Sequence, residues 1–168
     1  RLDLALNDFV ACAITSGEIT VLSDGSPWRP LIDVEDMSRA IAWAMKREKD
    51  NGGQFLAVNT GSNNSNYQVR QIATAVANLV PNTKILINKD ALPDKRSYSV
   101  NFDLYETLAP DSQPMVSLDQ SISRLLDGLM KMGFSDKDFR NSPYMRLNTL
   151  RKHMVSNRIG KDLRWKTF

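Results

Sequence analysis

Arg29 is the residue of this sequence best suited by type and position to hold a phosphate. It stands next to Trp28, between a turn signal and an apolar run, where a purely solvated charge is unexpected. A guanidinium is a planar fork that pairs with two phosphate oxygens at once. The alternative is an edge-strand arginine that pairs with a local carboxylate such as Asp33. Arg96 lies in a polar loop, and for it a phosphate contact and a structural role weigh equally.

Asn59 and Tyr98 are two further candidates for contact with a ligand. Asn59 follows the predicted strand 55–58, and ligands of α/β proteins bind where strands end. Its amide can donate to a phosphate or a ribose, or it can cap its own loop. Tyr98 can stack on a nucleotide or donate to it, although a core or rim tyrosine is the more frequent case.

Nucleophilic and metal-binding side chains are scarce. The chain has one cysteine, Cys12, and one histidine, His153. A zinc site of the usual kind needs several such ligands, so no metal is expected. Cys12 lies in an apolar helical pattern and is interpreted as a small buried hydrophobe. Because a lone thiol builds no internal disulfide, the cytoplasm is the expected location.

The apolar periodicity predicts an α/β mixture of α+β-like character, with several helices and few short strands. Helices are predicted over residues 3–16, from 33–36 to 51–53, from 69 to 81, over 102–108 and behind Ser117, with capping boxes at Ser65 with Gln68 and at Ser117 with Gln120. Strands are predicted over residues 19–22, 29–34, 55–58 and 85–87, the first two as a hairpin around Asp24 and Gly25. This set indicates a small mixed lobe that lacks a Rossmann domain.

Several segments resemble the C-terminal lobe of the extended short-chain dehydrogenase/reductase family, which includes NAD-dependent nucleotide-sugar epimerases and dehydratases. The segment ITVLSDGSPWRPLIDVED follows the family's Gly-rich turn, arginine and "R-D-x-x-H-V-x-D" junction, with Asp24, Gly25, Arg29, Val34 and Asp36 at the matching places. Residues 57–61 (AVNTG) resemble the family's "Y-N-x-G" strand end, and residues 94–98 (DKRSY) resemble its "D-x-R-x-Y" segment. These segments occur in the family's order and cover residues 1–130.

The resemblance implies that the lobe grips a nucleotide-diphosphate sugar. It assigns the diphosphate to Arg29 and the base to the backbone of the strand around Val21. The family's second phosphate arginine stands a few residues before Arg96, so its role has either moved to Arg96 or been lost. Asn7, on the first helix, would contact the nucleotide, or it is an exposed helical asparagine without function. The implied substrate-binding residues are Asn7, Val21, Arg29, Asn59, Arg96 and Tyr98. Asp33 replaces the family's histidine and places a carboxylate near the expected phosphate pocket.

The two catalytic signatures of the family are absent. The sequence has no G-x-x-G-x-x-G and no tyrosine with a lysine four residues later. In the family the Tyr-Lys pair transfers the proton and the glycines seat the NAD pyrophosphate, both in the N-terminal half. The resemblance therefore implies a fragment that holds no catalytic residue and binds no cofactor alone. Its intact parent would use NAD or NADP, carry the missing Rossmann half and form a homodimer.

Positive charge is concentrated at the C-terminal end. Residues 131–168 carry 10 basic and 3 acidic side chains, whereas residues 1–130 carry 12 basic and 16 acidic ones. We expect residues 131–168 to form a basic helical extension packed on the lobe 1–130. The alternative function is a non-catalytic binding or assembly module whose extension contacts an acidic partner or RNA, although charges at helical spacing favour a solvated face. No apolar run approaches a membrane span, so no membrane partner is expected.

Overall fold

The computed structural model describes residues 1–91 and 96–166 and confirms the α/β class. Six α-helices lie in this part of the chain: α1 Ala5–Ser16, α2 Val34–Lys46, α3 Val69–Leu79, α4 Asp103–Leu108, α5 Leu118–Lys131 and α6 Arg146–Val155. Four short strands accompany them: β1 Glu18–Val21, β2 Trp28–Pro30, β3 Asn66–Gln68 and β4 Lys84–Ile87. Most of the regular secondary structure is helical, and the strands form two sheets of two strands each.

The hairpin expected between β1 and β2 is wrong. β1 pairs in parallel with β4, and β2 pairs antiparallel with β3. The loop after β1 is fastened instead to the start of α3, where the N–H groups of Arg70 and Val69 donate to the carbonyls of Gly25 and Pro27. Gly25 fits this approach because its φ is 78° and an added Cβ would lie 2.8 Å from the Arg70 Cβ. Prolines at positions 27 and 30 also offer no N–H for a hairpin ladder.

The main hydrophobic core lies between the helices α1, α3 and α5 and the sheet of β1 and β4, and a smaller cluster joins Ala40 of α2 to Tyr105 of α4. The branched aliphatic side chains with 0% exposure are Val10, Ile19, Ile72, Val76 and Ile122. Ile19 lies in β1, and the other four fall on the helix faces that the apolar spacing predicts. Phe139, from the basic extension, is 2% exposed and belongs to the same core cluster.

Three predicted helix ends are confirmed, and one predicted capping box is wrong. α1 ends at Gly17, which adopts a left-handed φ of 67°. Asp33 caps α2, and Ser117 with Gln120 forms the expected capping box of α5. The box expected at Ser65 is wrong, because Ser65 closes a short 3₁₀ turn and α3 starts later, with the Gln68 N–H donating to the Gln71 side chain at 2.7 Å.

Residues 55–58 do not form the expected strand. A strand needs a neighbour for its backbone hydrogen bonds, and none pairs with this segment within the described residues. α2 also ends at Lys46, before the predicted stop at 51–53, and Arg47 Nη1 then donates to the carbonyls of Asn51 and Gly53 at 2.6 and 2.7 Å. Phe55 is 87% exposed, so the segment presents an apolar side chain to its surroundings.

Cys12 is buried in the core, as predicted, and we expect its thiol to resist alkylation. Burial, followed by the charge of Asp8, raises its pKa to about 11, while Arg140 opposes the shift. Because the thiolate is the nucleophile, iodoacetamide at about pH 8 should react on the order of 100-fold more slowly with the folded chain than with the chain in urea. Mass spectrometry of timed reactions measures both rates, and similar rates in the two states would contradict the burial.

Candidate substrate-binding site

Strand β2 carries the candidate site between two neighbouring segments. On one side β3 places Tyr67 directly opposite Arg29. On the other side the chain around Tyr98 runs along β2: the Trp28 N–H donates to Ser97 Oγ at 3.0 Å, and the Tyr98 N–H donates to the Trp28 carbonyl at 3.4 Å. Backbone bonds on both edges therefore fix the position of Arg29.

Arg29, Arg96 and Tyr98 come together in one cluster, here termed the arginine platform. Arg29 Nη1 donates to the carbonyls of Arg96 and Trp28, each at 2.7 Å. Its guanidinium carbon lies 5.9 Å from the centroid of the Tyr98 ring, within range of a cation–π contact. The platform thus orients a guanidinium through two carbonyls and an aromatic ring. The structure brings these three predicted site residues together.

Two asparagines that the sequence analysis did not single out fasten the platform to the lobe. Asn66 accepts the Val100 N–H at 2.9 Å and donates to the Val100 carbonyl at 3.0 Å. Asn63 accepts the Phe102 N–H at 2.9 Å and donates to Asp103 at 2.7 Å. Each amide side chain thus accepts one bond from residues 100–103 and donates one to them, and together they tie this segment to residues 63–66. In the sequence, the only sign of this role is that residues 63–66 are rich in asparagine, which indicates a loop but not its partners.

A cavity of about 760 Å³ adjoins β3, and its wall includes Asn7, Leu31 and Tyr67. We call it the β3 cavity. Residues directly opposite each other in an antiparallel pair project to the same face, so Arg29 shares a sheet face with Tyr67. Leu31, two residues after Arg29, lines the cavity as well. Asn7 Nδ2 donates to the Arg1 carbonyl at 2.7 Å at the same wall.

The acidic residues of the cavity wall are held by α5. Ser121 Oγ donates to Asp33 at 2.6 Å, and Asp33 also accepts the Glu35 N–H at 2.9 Å as the cap of α2. Arg124 forms an ion pair with Glu35 at 2.5 Å. The carboxylate that the sequence placed near the phosphate pocket is therefore bonded to a hydroxyl and to a helix N-terminus, which stabilises its charge.

Among the described residues, Asp36 is the one charged side chain that is buried, with 2% exposure. Its oxygens accept the N–H groups of Met115 and Val116, each at 3.0 Å, and Arg39 pairs with it. Asp36 thereby holds the segment before α5 against α2. In the sequence Asp36 stands out only as a family pattern position, because its backbone partners lie 79 and 80 residues away.

Val21 and Asn59 occupy other surroundings within the described residues. Val21 is 1% exposed, and its carbonyl accepts the Asn88 N–H at 3.1 Å, so its side chain and its oxygen are both engaged. Asn59 is exposed and lines a second cavity of about 760 Å³ beside α2, termed the α2 cavity. The structure does not group these two with the arginine platform.

The described residues contain no binding site of the usual kind for the NAD pyrophosphate. Such a site is a glycine-rich turn at the N-terminus of a helix. The residues that precede the six helices are Leu4, Asp33, Gln68, Phe102, Ser117 and Met145. Nor does this part of the chain contain a group of three or more His, Cys, Asp or Glu side chains that could hold a metal ion. None of its helices has the length and apolar character needed to cross a bilayer.

Residues 5–61 match the model of the NAD dependent epimerase/dehydratase family. The match extends from α1 to the loop after Asn59 and includes Asn7 and Arg29. A comparison with curated proteins gave no match.

Three solved structures share this fold. An L-threonine dehydrogenase from Phytophthora infestans has a TM-score of 0.60 at 15% identity, over 74% of this chain and 40% of its own. A monomeric L-threonine 3-dehydrogenase from a metagenome has a TM-score of 0.59 at 13% identity, over 76% and 41% of the two chains. A GalE-like L-threonine dehydrogenase from Cupriavidus necator has a TM-score of 0.54 at 19% identity, over 73% and 44%. The chain therefore spans about two-fifths of these enzymes, and at such identities the likeness concerns the fold alone.

Proposed function

We propose that this chain is the substrate-binding lobe of an NAD-dependent enzyme of the epimerase/dehydratase family and that it grips the diphosphate of a nucleotide sugar. The arginine platform is the observation that carries this proposal. Arg29 lies within the matched residues, is oriented by two carbonyls, and shares a sheet face with the wall of the β3 cavity.

A diphosphate fits the chemistry of the platform. Charge-assisted bonds from a guanidinium to phosphate are strong and geometrically specific. Because the protein orients the Arg29 side chain before a ligand arrives, little side-chain freedom is lost on binding. Trp28 and Tyr98 are 38% and 54% exposed, which leaves ring surface beside the platform for a base or a ribose. Asn7 supplies an amide at the neighbouring cavity wall.

The missing N-terminal Rossmann half would pack on α2 and on residues 55–58. Met37, Ile41 and Met45 follow one another at helical spacing and are 45%, 55% and 83% exposed. The α2 cavity continues this apolar face, and segment 55–58 has no strand neighbour among the described residues. An apolar face of this kind marks an interaction site. The Rossmann half would bring NAD or NADP and the catalytic pair, and the intact enzyme would dimerise.

Arg29→Ala is expected to remove a preference of the chain for nucleoside diphosphates. Calorimetric titrations compare uridine, thymidine, guanosine, cytidine and adenosine diphosphates with the matching monophosphates. The best diphosphate should bind about 10- to 100-fold more tightly than its monophosphate, because a hydrogen bond to a charged group contributes about 1.5–3 kcal/mol. In Arg29→Ala the two affinities should become equal.

Two variants and one further ligand make this test specific. Arg29→Lys keeps the charge but loses the fork, so it should recover only part of the preference. Lys46→Ala removes an exposed cation at the end of α2 and should leave the preference unchanged. L-threonine is titrated because the similar structures carry its name. The proposal would be contradicted if the unaltered chain bound di- and monophosphates with equal affinity and if L-threonine bound equally well to the unaltered chain and to Arg29→Ala.

A further inference from the structure

The end of α6 and the chain after it form a small folded unit, residues 151–166, here termed the basic tip. Ile159 and Trp165 form an isolated β-bridge, and the Lys166 N–H donates to the Arg158 carbonyl at 2.9 Å. Ile159 is 5% exposed, so a buried aliphatic side chain anchors the loop. The tip thus holds its surface side chains in a defined arrangement.

The basic tip carries six basic side chains and one acidic side chain. The six are exposed: Arg151, Lys152, Arg158, Lys161, Arg164 and Lys166. None of them forms an ion pair within residues 1–91 and 96–166. Arg140 and Arg146, earlier in the extension, instead pair with Asp8 and Asp3 near the N-terminus. The uncompensated charge of the extension is therefore concentrated at the tip.

Large apolar side chains are exposed among these charges. Val155, Trp165 and Leu163 are 88%, 67% and 56% exposed. The His153 ring contacts the edge of Trp165 with centroids 5.1 Å apart, which orients the indole. Leu163 has a φ of 62°, a left-handed conformation that is uncommon for leucine and that glycine or asparagine would adopt more easily. Leu163 therefore exposes an apolar side chain at a turn whose backbone conformation would be less strained with glycine or asparagine.

We propose that the basic tip docks on an anionic lipid surface, a function beyond substrate binding. Lysine and arginine are attracted to anionic headgroups, tryptophan settles at the membrane interface, and aliphatic side chains enter the acyl boundary. A nucleic acid would satisfy the charges but would leave Val155 and Leu163 without an apolar partner, since RNA is held by stacking and backbone contacts. Such docking is peripheral and requires no spanning helix.

Co-sedimentation with vesicles tests the charge requirement. The 168-residue chain should bind phosphatidylcholine vesicles that contain phosphatidylglycerol at least about 10-fold more tightly than vesicles of phosphatidylcholine alone. The triple variant Arg158→Gln, Lys161→Gln, Arg164→Gln should weaken this binding about 100-fold, since each basic residue near an anionic surface contributes about fivefold. A matched triple on the lobe, Lys46→Gln, Lys49→Gln, Lys84→Gln, should weaken it less than about threefold.

The apolar side chains separate lipid from nucleic acid. Val155→Ser with Leu163→Ser should weaken vesicle binding about 10-fold and leave retention on polyuridylate unchanged. Tryptophan emission should shift to shorter wavelength on vesicles, and Trp165→Phe should abolish that shift while its thermal melting matches that of the unaltered chain. Absence of vesicle binding, an equal loss in the lobe triple, or tighter binding to polyuridylate that depends on the same three cations would overturn the proposal.

Discussion

Asp36→Ala is expected to lower the free energy of unfolding by about 3–5 kcal/mol, the range for breaking a buried ion pair. The substitution removes the acceptor of the Met115 and Val116 N–H groups and leaves the Arg39 guanidinium, whose side chain is 27% exposed, without this partner. For a chain of this size about 1 kcal/mol corresponds to roughly 2–4 °C, so the melting temperature should fall by roughly 6–20 °C. Urea and thermal denaturation followed by circular dichroism measure both quantities.

Two matched variants identify the cause of this loss. Asp36→Asn keeps the shape but replaces one acceptor oxygen by a donor that faces a backbone N–H, so its loss should be intermediate. Glu35→Gln removes the neighbouring charge, which pairs with Arg124 on the surface, and should cost less than about 1 kcal/mol. If Asp36→Ala cost no more than Glu35→Gln, the bonds to Met115 and Val116 would not be what stabilises this region.

Asp36 also connects stability to the candidate site. Asp36 and Val116 both line the β3 cavity, so the bond between them forms part of its wall. Asp36 occupies a position of the family pattern, which suggests a functional role. In this structure its role is structural, because it fixes the distance between α2 and the segment before α5. Loss of this carboxylate should therefore weaken ligand binding by deforming the cavity, whereas loss of Arg29 should weaken it without lowering stability to the same degree.

The helices could be predicted from the sequence because the signals that form them are local. Apolar side chains at 3.6-residue spacing define the faces of α1, α3 and α5, and Asp33, Ser117 and Gly17 mark helix ends within a few residues of them. Strand partners could not be predicted, because β1 pairs with a strand more than 60 residues later and β2 with β3 across α2. Residues 55–58 show the same limit, since a strand exists only when a neighbour completes it.

The arginine platform could be predicted only in part. Arg29, Arg96 and Tyr98 carry chemistry in their own side chains, so residue type and family resemblance pointed to them. Asn63 and Asn66 position that platform through backbone groups 34 and 39 residues away, and nothing in their immediate surroundings reveals this role. Side chains that could contact a ligand are therefore easier to recognise in a sequence than side chains that only hold the backbone in place.

Phe139→Ala should show that the basic extension, residues 131–168, folds as one unit with the lobe. We propose this arrangement because Phe139 is 2% exposed in the main core and Arg140 binds Asp8 of α1 through two bonds of 2.8 and 2.6 Å. Removal of a buried phenylalanine ring typically costs about 3–5 kcal/mol. The whole chain should therefore melt at a lower temperature, still in a single transition.

Val155→Ala is the matched control, since Val155 is 88% exposed in the same extension and its truncation should change stability by less than about 0.5 kcal/mol. With Trp165→Phe in the background of both variants, the tryptophan bands of near-ultraviolet circular dichroism report the lobe, where Trp43 packs on Tyr105 with rings 5.4 Å apart. In Phe139→Ala this signal should be lost together with the far-ultraviolet helical signal. If the lobe signal kept its original midpoint while helical signal was lost at a lower temperature, the extension would be an independent unit, and Phe139 would stabilise only its own segment. A shared midpoint would instead mean that the extension helps to hold α1, and with it Asn7, at the wall of the β3 cavity.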